Sequence, residues 1–262
     1  MYKEMSRTIA DWKKRLSSLE RITESELTEL HADSRMGVQK LLQSYLKQQE
    51  KAQAEQMRVE GMWRFERRLW EQGKKWIAGV DEAGRGPLAG PVVAAAVILP
   101  SDFDATGLND SKQVKKEERN RLRQKIEREA IAVGVGVIDV PYIDRYNILQ
   151  ATYQAMRVAL SQLQPIPDLI LVDAVKIPRV TISQHGIIKG DSQSHSIAAA
   201  SIIAKTTRDE YMIQLADKYP DYGFEKHMGY GTPEHLQAME VLGVTPEHRS
   251  SFAPVRAVLC SS

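Results

Sequence analysis

From residue 76 onward, short apolar runs alternate with amphipathic stretches, and few architectures are compatible with that alternation. Apolar runs too short for a helix read as buried strands, and the stretches between them read as helices covering a sheet. Strands are predicted over 76–80, 92–99, 131–140 and 169–172, with a weaker one over 180–188. Helices are predicted over 115–130, with Leu122 and Ile126 on one face, over 144–163, and from about 192 to 218. The first three strands follow each other closely, which favours antiparallel pairing, whereas helical connections later favour parallel pairing. The expectation is an α/β domain over 76–262, with a mixed five-stranded sheet flanked by helices.

Residues 1–75 have a different texture. They contain no proline and are rich in Lys, Arg, Glu, Gln and Leu, with helical spacing at Leu16, Leu19 and Ile22 and again at Leu42, Tyr45 and Leu46. Two or three helices are expected, forming an α-helical N-terminal extension. The Gln-rich stretch 48–60 has no wide apolar face, so it reads as a solvated helix or a partly disordered one. Trp63, Phe65, Leu69 and Trp70 are expected to dock this arm on the main body. Lys and Arg exceed Asp and Glu by only 36 to 34 overall, but residues 1–75 hold 16 basic and 12 acidic side chains. The local excess, sharpest at Arg64, Arg67, Arg68, Lys74 and Lys75, suits either phosphate contacts or a solvated helical face. A single cysteine, Cys260, excludes an internal disulfide and any cysteine-rich metal site. No run approaches the ~18 apolar residues of a membrane span. The opening residues carry an acid and no apolar stretch, so a cytoplasmic protein is expected.

The chemistry concentrates where strands should end. Asp81 and Glu82 follow the first predicted strand and precede the flexible turn Ala83-Gly84-Arg85-Gly86-Pro87; Asp173 closes the run Leu169-Ile170-Leu171-Val172. Ligands in open α/β sheets gather beyond the carboxyl ends of strands, so parallel neighbouring strands would bring these three acids into one crevice. Asp191 is a fourth candidate, although its spacing ahead of the long helix favours a capping role, and the two roles are compatible. Carboxylates that close repel unless cations neutralise them. Oxygen donors without His or Cys point to Mg²⁺ or Mn²⁺ rather than Zn²⁺, and four of them suit a pair of ions of the kind used in phosphodiester cleavage. No P-loop or dinucleotide fingerprint is present, and the six histidines show no H-x-x-x-H pair. Ser111 and Lys112 follow Asn109-Asp110 before a helix, suited to capping or to holding a phosphate. Thr-Pro-Glu-His occurs at 232–235 and at 245–248, and each copy reads as a helix start.

In order along the chain, Asp81-Glu82-Ala83-Gly84-Arg85-Gly86-Pro87-Leu88-Ala89-Gly90-Pro91, Leu108-Asn109-Asp110-Ser111-Lys112, Leu171-Val172-Asp173, Lys189-Gly190-Asp191 and Gly229-Tyr230-Gly231-Thr232 resemble the motifs of the type 2 ribonucleases H, the ribonuclease HII family. The resemblance covers about residues 76–258. It implies a ribonuclease H-like fold and a monomeric endoribonuclease that acts on RNA/DNA hybrids and nicks duplex DNA 5′ of an embedded ribonucleotide, leaving 3′-hydroxyl and 5′-phosphate ends. It further implies that Asp81, Glu82, Asp173 and Asp191 hold two Mg²⁺ or Mn²⁺ ions, with water as nucleophile. Gly84, Arg85 and Gly86 would sense the ribose 2′-hydroxyl, Tyr230 would pack on the sugar at the RNA-to-DNA step, and Ser111 and Lys112 would hold phosphate. The related type 3 enzymes lack the Gly-Arg-Gly element, so Arg85 argues for type 2 preference. A hybrid-binding protein without cleavage is the alternative, disfavoured because four acids near phosphates would weaken mere binding.

Overall fold

A computed structural model describes residues 7–18 and 22–261. Leu19, one of the positions in the predicted helical spacing, lies outside them. The chain divides into two compact units, Met1–Arg58 and Val59–Ser262.

The first unit contains α1 (Ile9–Leu16), α2 (Glu24–Ala32) and most of α3 (Met36–Met62). Thr8 and Thr23 begin α1 and α2 with reciprocal capping boxes to Asp11 and Glu26. Trp12, Leu30, Val38 and Leu42 form its small core. The Gln-rich stretch is a solvated helix within α3, mostly exposed.

The second unit opens with α4 (Arg64–Glu71), which makes four helices before the first strand among the described residues, more than expected. The strands are β1 (Ile77–Ala83), β2 (Val92–Ile98), β3 (Ala132–Ile138), β4 (Leu169–Asp173) and β5 (Gln184–Ile187). They form one mixed sheet in the order β3-β2-β1-β4-β5. β1–β2 and β2–β3 are antiparallel, and β1–β4 and β4–β5 are parallel, as the spacing of strands predicts.

Successive strand residues face opposite layers. Val80, Ala94, Ala96, Ile170 and Val172 pack with residues of α6 (Val140–Tyr146) and α7 (Ile148–Ser161). On the other face, Val93, Ala95 and Val97 pack against Leu122 and Ile126 of α5 (Lys116–Glu129) and the alanine-rich start of α8 (His195–Lys218). The single helix predicted over 144–163 is two, because Asn147 sits at φ 71° and its side chain caps α7 by accepting from the Gln150 amide. The remaining helices are α9 (Phe224–His227), α10 (Pro233–Leu242) and α11 (Ala253–Ser261). No helix among the described residues is long and apolar enough to cross a membrane.

Only one of the two Thr-Pro-Glu-His copies starts a helix. Thr232 caps α10 with Pro233 in its first turn, but residues 245–248 form a turn ending in an extended bridge between His248 and Ala89. The reason is a histidine web. The His248 Nδ1 accepts from the Thr245 amide at 2.9 Å, which leaves its Nε2–H to donate to His235 Nε2 at 3.0 Å; His235 Nδ1–H donates to the Tyr230 carbonyl at 2.9 Å. Both rings are neutral, and burial holds both pKa values down to about 4. Above pH ~6.5 both rings are neutral in folded and unfolded chains, so their contribution is fully present there. As pH falls toward 4 the unfolded chain takes up protons that the fold refuses, and each ring withdraws ~3 kcal/mol. The Asp81, Glu82 and Asp191 carboxyls, raised by burial and mutual repulsion, act with the opposite sign. Ring titration by NMR therefore separates the two effects: the His235 and His248 signals are expected to stay at their neutral positions until pH approaches 4, and titration of either near 6.5 would contradict the web.

Candidate active site

β1 does not end at residue 80 as predicted. Its pairing with β4 stops at Val80↔Val172, but pairing with β2 continues through Asp81↔Ala95, Glu82↔Ala94 and Ala83↔Val93. Asp81 and Glu82 thus lie on strand backbone whose β4 side has been released, next to the end of β4, where Asp173 emerges.

Gly79 and Asp81 share the face toward α8. An added Cβ on Gly79 would stand 1.9 Å from the Ser196 carbonyl carbon, so the first turn of α8 rests directly on β1. Further along α8, the Ser201 hydroxyl lies near Asp81 and partly offsets the rise of its carboxyl, whose Oδ1 accepts from the Glu82 amide at 2.8 Å. Ser201 Oγ in turn lies 3.0 Å from Ser111 Oγ, so the two buried hydroxyls pair beside Asp81. Ser111 therefore points inward to Ser201, whereas Lys112 beside it is exposed and its charge acts on Glu82 and Asp191.

The four acids feel one another. Asp81 is 6% exposed, and burial, then the Glu82 charge, then that of Asp173 push its carboxyl well above the ordinary range. Burial raises Glu82, with Asp173 adding repulsion and Arg85 opposing it through an ion pair at 3.1 Å. Asp191 is raised by burial, then by Asp110 and Asp173. Asp173 thus acts on all three others, while its own Oδ1 accepts from the Gly190 amide at 2.7 Å. Asp191 sits in a short turn (Gly190–Ser192) and does not cap the long helix; Ser194 does.

The cap itself is held by α4. Glu66, fully buried, accepts from the Ser194 hydroxyl at 2.6 Å and the Ser196 amide at 3.0 Å through one oxygen. His195 Nε2 donates to the Val59 carbonyl at 2.7 Å and its ring packs on Trp63, and Arg64 hydrogen-bonds Gln193. Trp63 joins the main core and Leu69 packs with Ile77 and Ile197, so these residues do dock on the body of the second unit.

Gly84, Arg85 and Gly86 form the turn after β1. Tyr230 is 45% exposed, and its ring lies 3.7 Å from where a Gly86 Cβ would be. The Leu88 amide donates to the Gly229 carbonyl at 2.7 Å, tying the two loops together. Sequence reading missed Ser201, Glu66, Arg208 and Arg249. Ser201 and Arg208 sit in an apparently regular helix, and the other two carry no local pattern.

The donor set suits a hard divalent cation: four carboxylates, oxygen only, with repulsion that a cation would relieve. Among the described residues they do not form a ready-made cage of three or more ligands; Glu82 faces Arg85 and Asp173 faces the Gly190 amide instead.

Comparison with known proteins agrees with this geometry. The model of the ribonuclease HII family matches residues 78–255, and that of the ribonuclease HII N-terminal domain matches residues 8–70. A ribonuclease HII of Bacillus cereus is 54% identical over 227 residues, covering 87% of this chain and 88% of the relative. The crystal structure of ribonuclease H2 from Pyrococcus horikoshii OT3 superposes with a TM-score of 0.62 at 27% identity, covering 70% of this chain and 97% of that one. Bst-RNase HIII in complex with Mn²⁺ shares the fold, with a TM-score of 0.55 at 22% identity and coverage of 72% and 70%. With its sheet order, its acid-bearing strand ends and both family models in register along it, this chain belongs to the ribonuclease HII family.

Proposed function

We propose that the chain is a divalent-ion-dependent endoribonuclease that hydrolyses the RNA strand of RNA/DNA hybrids and nicks duplex DNA on the 5′ side of an embedded ribonucleotide. The observation that carries the reading is the convergence of β1, β4 and the 190–192 turn, which puts Asp173 within electrostatic reach of Asp81, Glu82 and Asp191. These four side chains would hold the ions, Mg²⁺ or Mn²⁺, which would supply water activation and neutralise the leaving 3′-oxygen. The Mn²⁺ complex of the type 3 neighbour is consistent with that choice of metal. Asp81 is kept in place by the Glu82 amide beside the Ser111–Ser201 hydroxyl pair, and Asp191 by its short turn beside the capped start of α8.

Ribose selection falls to the turn after β1. Gly84 holds φ 91°, and an added Cβ there would meet the Arg208 side chain at 2.1 Å, so only glycine fits. Gly86 keeps the backbone open beside Tyr230, whose exposed ring provides a flat surface for a sugar. Lys112 and Arg85 supply positive charge near the acids, where a phosphate backbone must approach.

A duplex DNA carrying one ribonucleotide tests the reading. With Mg²⁺ or Mn²⁺, a single nick 5′ of that nucleotide with a 3′-hydroxyl end is expected, and none with chelator. Uncut substrate under every divalent condition, with binding intact, would leave a hybrid-binding protein instead.

A further inference from the structure

The turn proposed to read the sugar is built around a buried cation. Arg249 is 0% exposed, and among the described residues no carboxylate lies within ion-pairing distance of it. Its guanidinium hydrogen-bonds only main-chain carbonyls, with the Phe252 ring centred 5.1 Å from Cζ. Nε donates to Gly90 O at 3.0 Å; Nη1 donates to Arg85 O at 3.0 Å and Pro87 O at 2.8 Å; Nη2 donates to Gly84 O at 2.6 Å, Gly90 O at 2.8 Å and Pro91 O at 3.2 Å. Its own amide donates to Leu88 O at 2.8 Å. From the other side, the buried Arg208 donates to Pro91 O, Ala89 O and Met228 O at 3.1, 3.0 and 2.9 Å. Of the carbonyls from Gly84 to Pro91, only that of Gly86 is outside this arrangement.

Isolated burial of a guanidinium is unfavourable, and dipoles turned toward it are what offset the loss of water. The loop is therefore wrapped, with its carbonyls inward. In a chain so wrapped, the peptide N–H groups between those carbonyls face away from the cation. The Arg85 and Gly86 amides, on the two exposed residues of the turn, find no acceptor among the described residues. Arg249 is itself pinned on both sides: His248 bridges to Ala89, and Ser250 and Ser251 donate amides and hydroxyls to Asp144 on α6. Through Met228 and the Leu88–Gly229 bond, the same pair of arginines sets where Tyr230 stands.

We propose that Arg249, with Arg208 beside it, is the positioning residue for ribose selection: it holds the Arg85 and Gly86 amides outward and Tyr230 alongside, and touches no substrate itself. This rests on the reading of that turn as the sugar sensor. Lysine at 249 keeps the charge but offers three donors on one nitrogen, which cannot reach five carbonyls arranged around a planar fork.

The test uses full-length protein and two duplexes identical except for one 2′-hydroxyl, with Kd measured in chelator and kcat and KM in Mg²⁺. Wild type is expected to bind the ribonucleotide duplex more tightly. In R249K that preference is expected to collapse toward unity and kcat to fall by about tenfold or more, the scale of one hydrogen bond lost to a buried or charged partner. Affinity for the all-DNA duplex should be unchanged. A folded R249K with wild-type preference and kcat overturns the proposal, as does a uniform loss of affinity for both duplexes, which is what a merely structural role would give. R208K, which loosens Ala89 and Pro91 from the far side, carries the same expectation should R249K not fold. If wild type itself ignores the 2′-hydroxyl, the sensor reading fails first and the role of Arg249 with it.

Discussion

Asp81→Asn is expected to lower kcat by about a thousandfold or more, to bind substrate as well as the parent or better, and to melt about 2–4 °C higher. The three outcomes have one cause. Asp81 is buried against α8, its carboxyl pushed upward by burial and by the charges of Glu82 and Asp173. Asparagine is nearly isosteric, and its Oδ1 can still accept from the Glu82 amide as that of Asp81 does at 2.8 Å, so the local backbone survives. What disappears is one negative charge. Its loss relieves repulsion in the fold, removes an opponent of the phosphate backbone, and takes away the donor that a divalent ion would need. A site whose function requires clustered like charge is built at the expense of stability, so a variant that is both inactive and more stable is the signature. Comparable turnover would remove Asp81 from the chemistry. A sharply lower melting point would show that its charge serves the fold.

Legibility of the fold followed the range of the interactions. Strands β1 to β4 are readable because each is an apolar run over consecutive residues, whereas β5, mostly exposed, is only weakly marked; pairing directions follow from the length of what connects them. Residues 81–83 were hidden because their strand character comes from β2 across the sheet rather than from their own sequence. The break at Asn147 needs a residue at positive φ, which Asn tolerates without announcing it. Thr245 has the composition of a cap, yet its neighbour His248 is recruited by His235 and Ala89. Asp81, Glu82 and Asp173 were readable as strand-end carboxylates, but Asp191, ahead of a helix, was ambiguous until Ser194 was seen to do the capping. Glu66, Ser201, Arg208 and Arg249 were not readable at all. Each acts through partners at least 90 residues away along the chain, apart from Arg208's bond to Met228, and neither a buried arginine nor a helix-borne serine differs locally from an ordinary one.

Gly79→Ala is expected to cost about 3 kcal/mol or more, lowering the melting temperature by about 6–12 °C. The new Cβ would stand 1.9 Å from the Ser196 carbonyl carbon, 2.1 Å from its oxygen and 2.3 Å from the Ile197 amide nitrogen. All three are backbone atoms of the first turn of α8, so no side-chain rotation relieves the overlap. β1 cannot retreat either, because Gly79 is paired with Val97 on one side and Leu171 on the other in the middle of the sheet. The helix must lift. Lifting draws Ser194 and Ser196 from Glu66 and Ser201 from Asp81, so activity is expected to fall even well below the new melting point. Gly61→Ala provides the contrast: it lies in α3 with nothing within 4 Å of the added carbon, and gains up to about 1 kcal/mol from helix propensity alone. Chemical denaturation of both variants gives the comparison. A Gly79→Ala protein as stable as its parent would mean that α8 rides freely on β1, and the mechanical link from Glu66 through Ser194 and Ser201 to the acids would not hold.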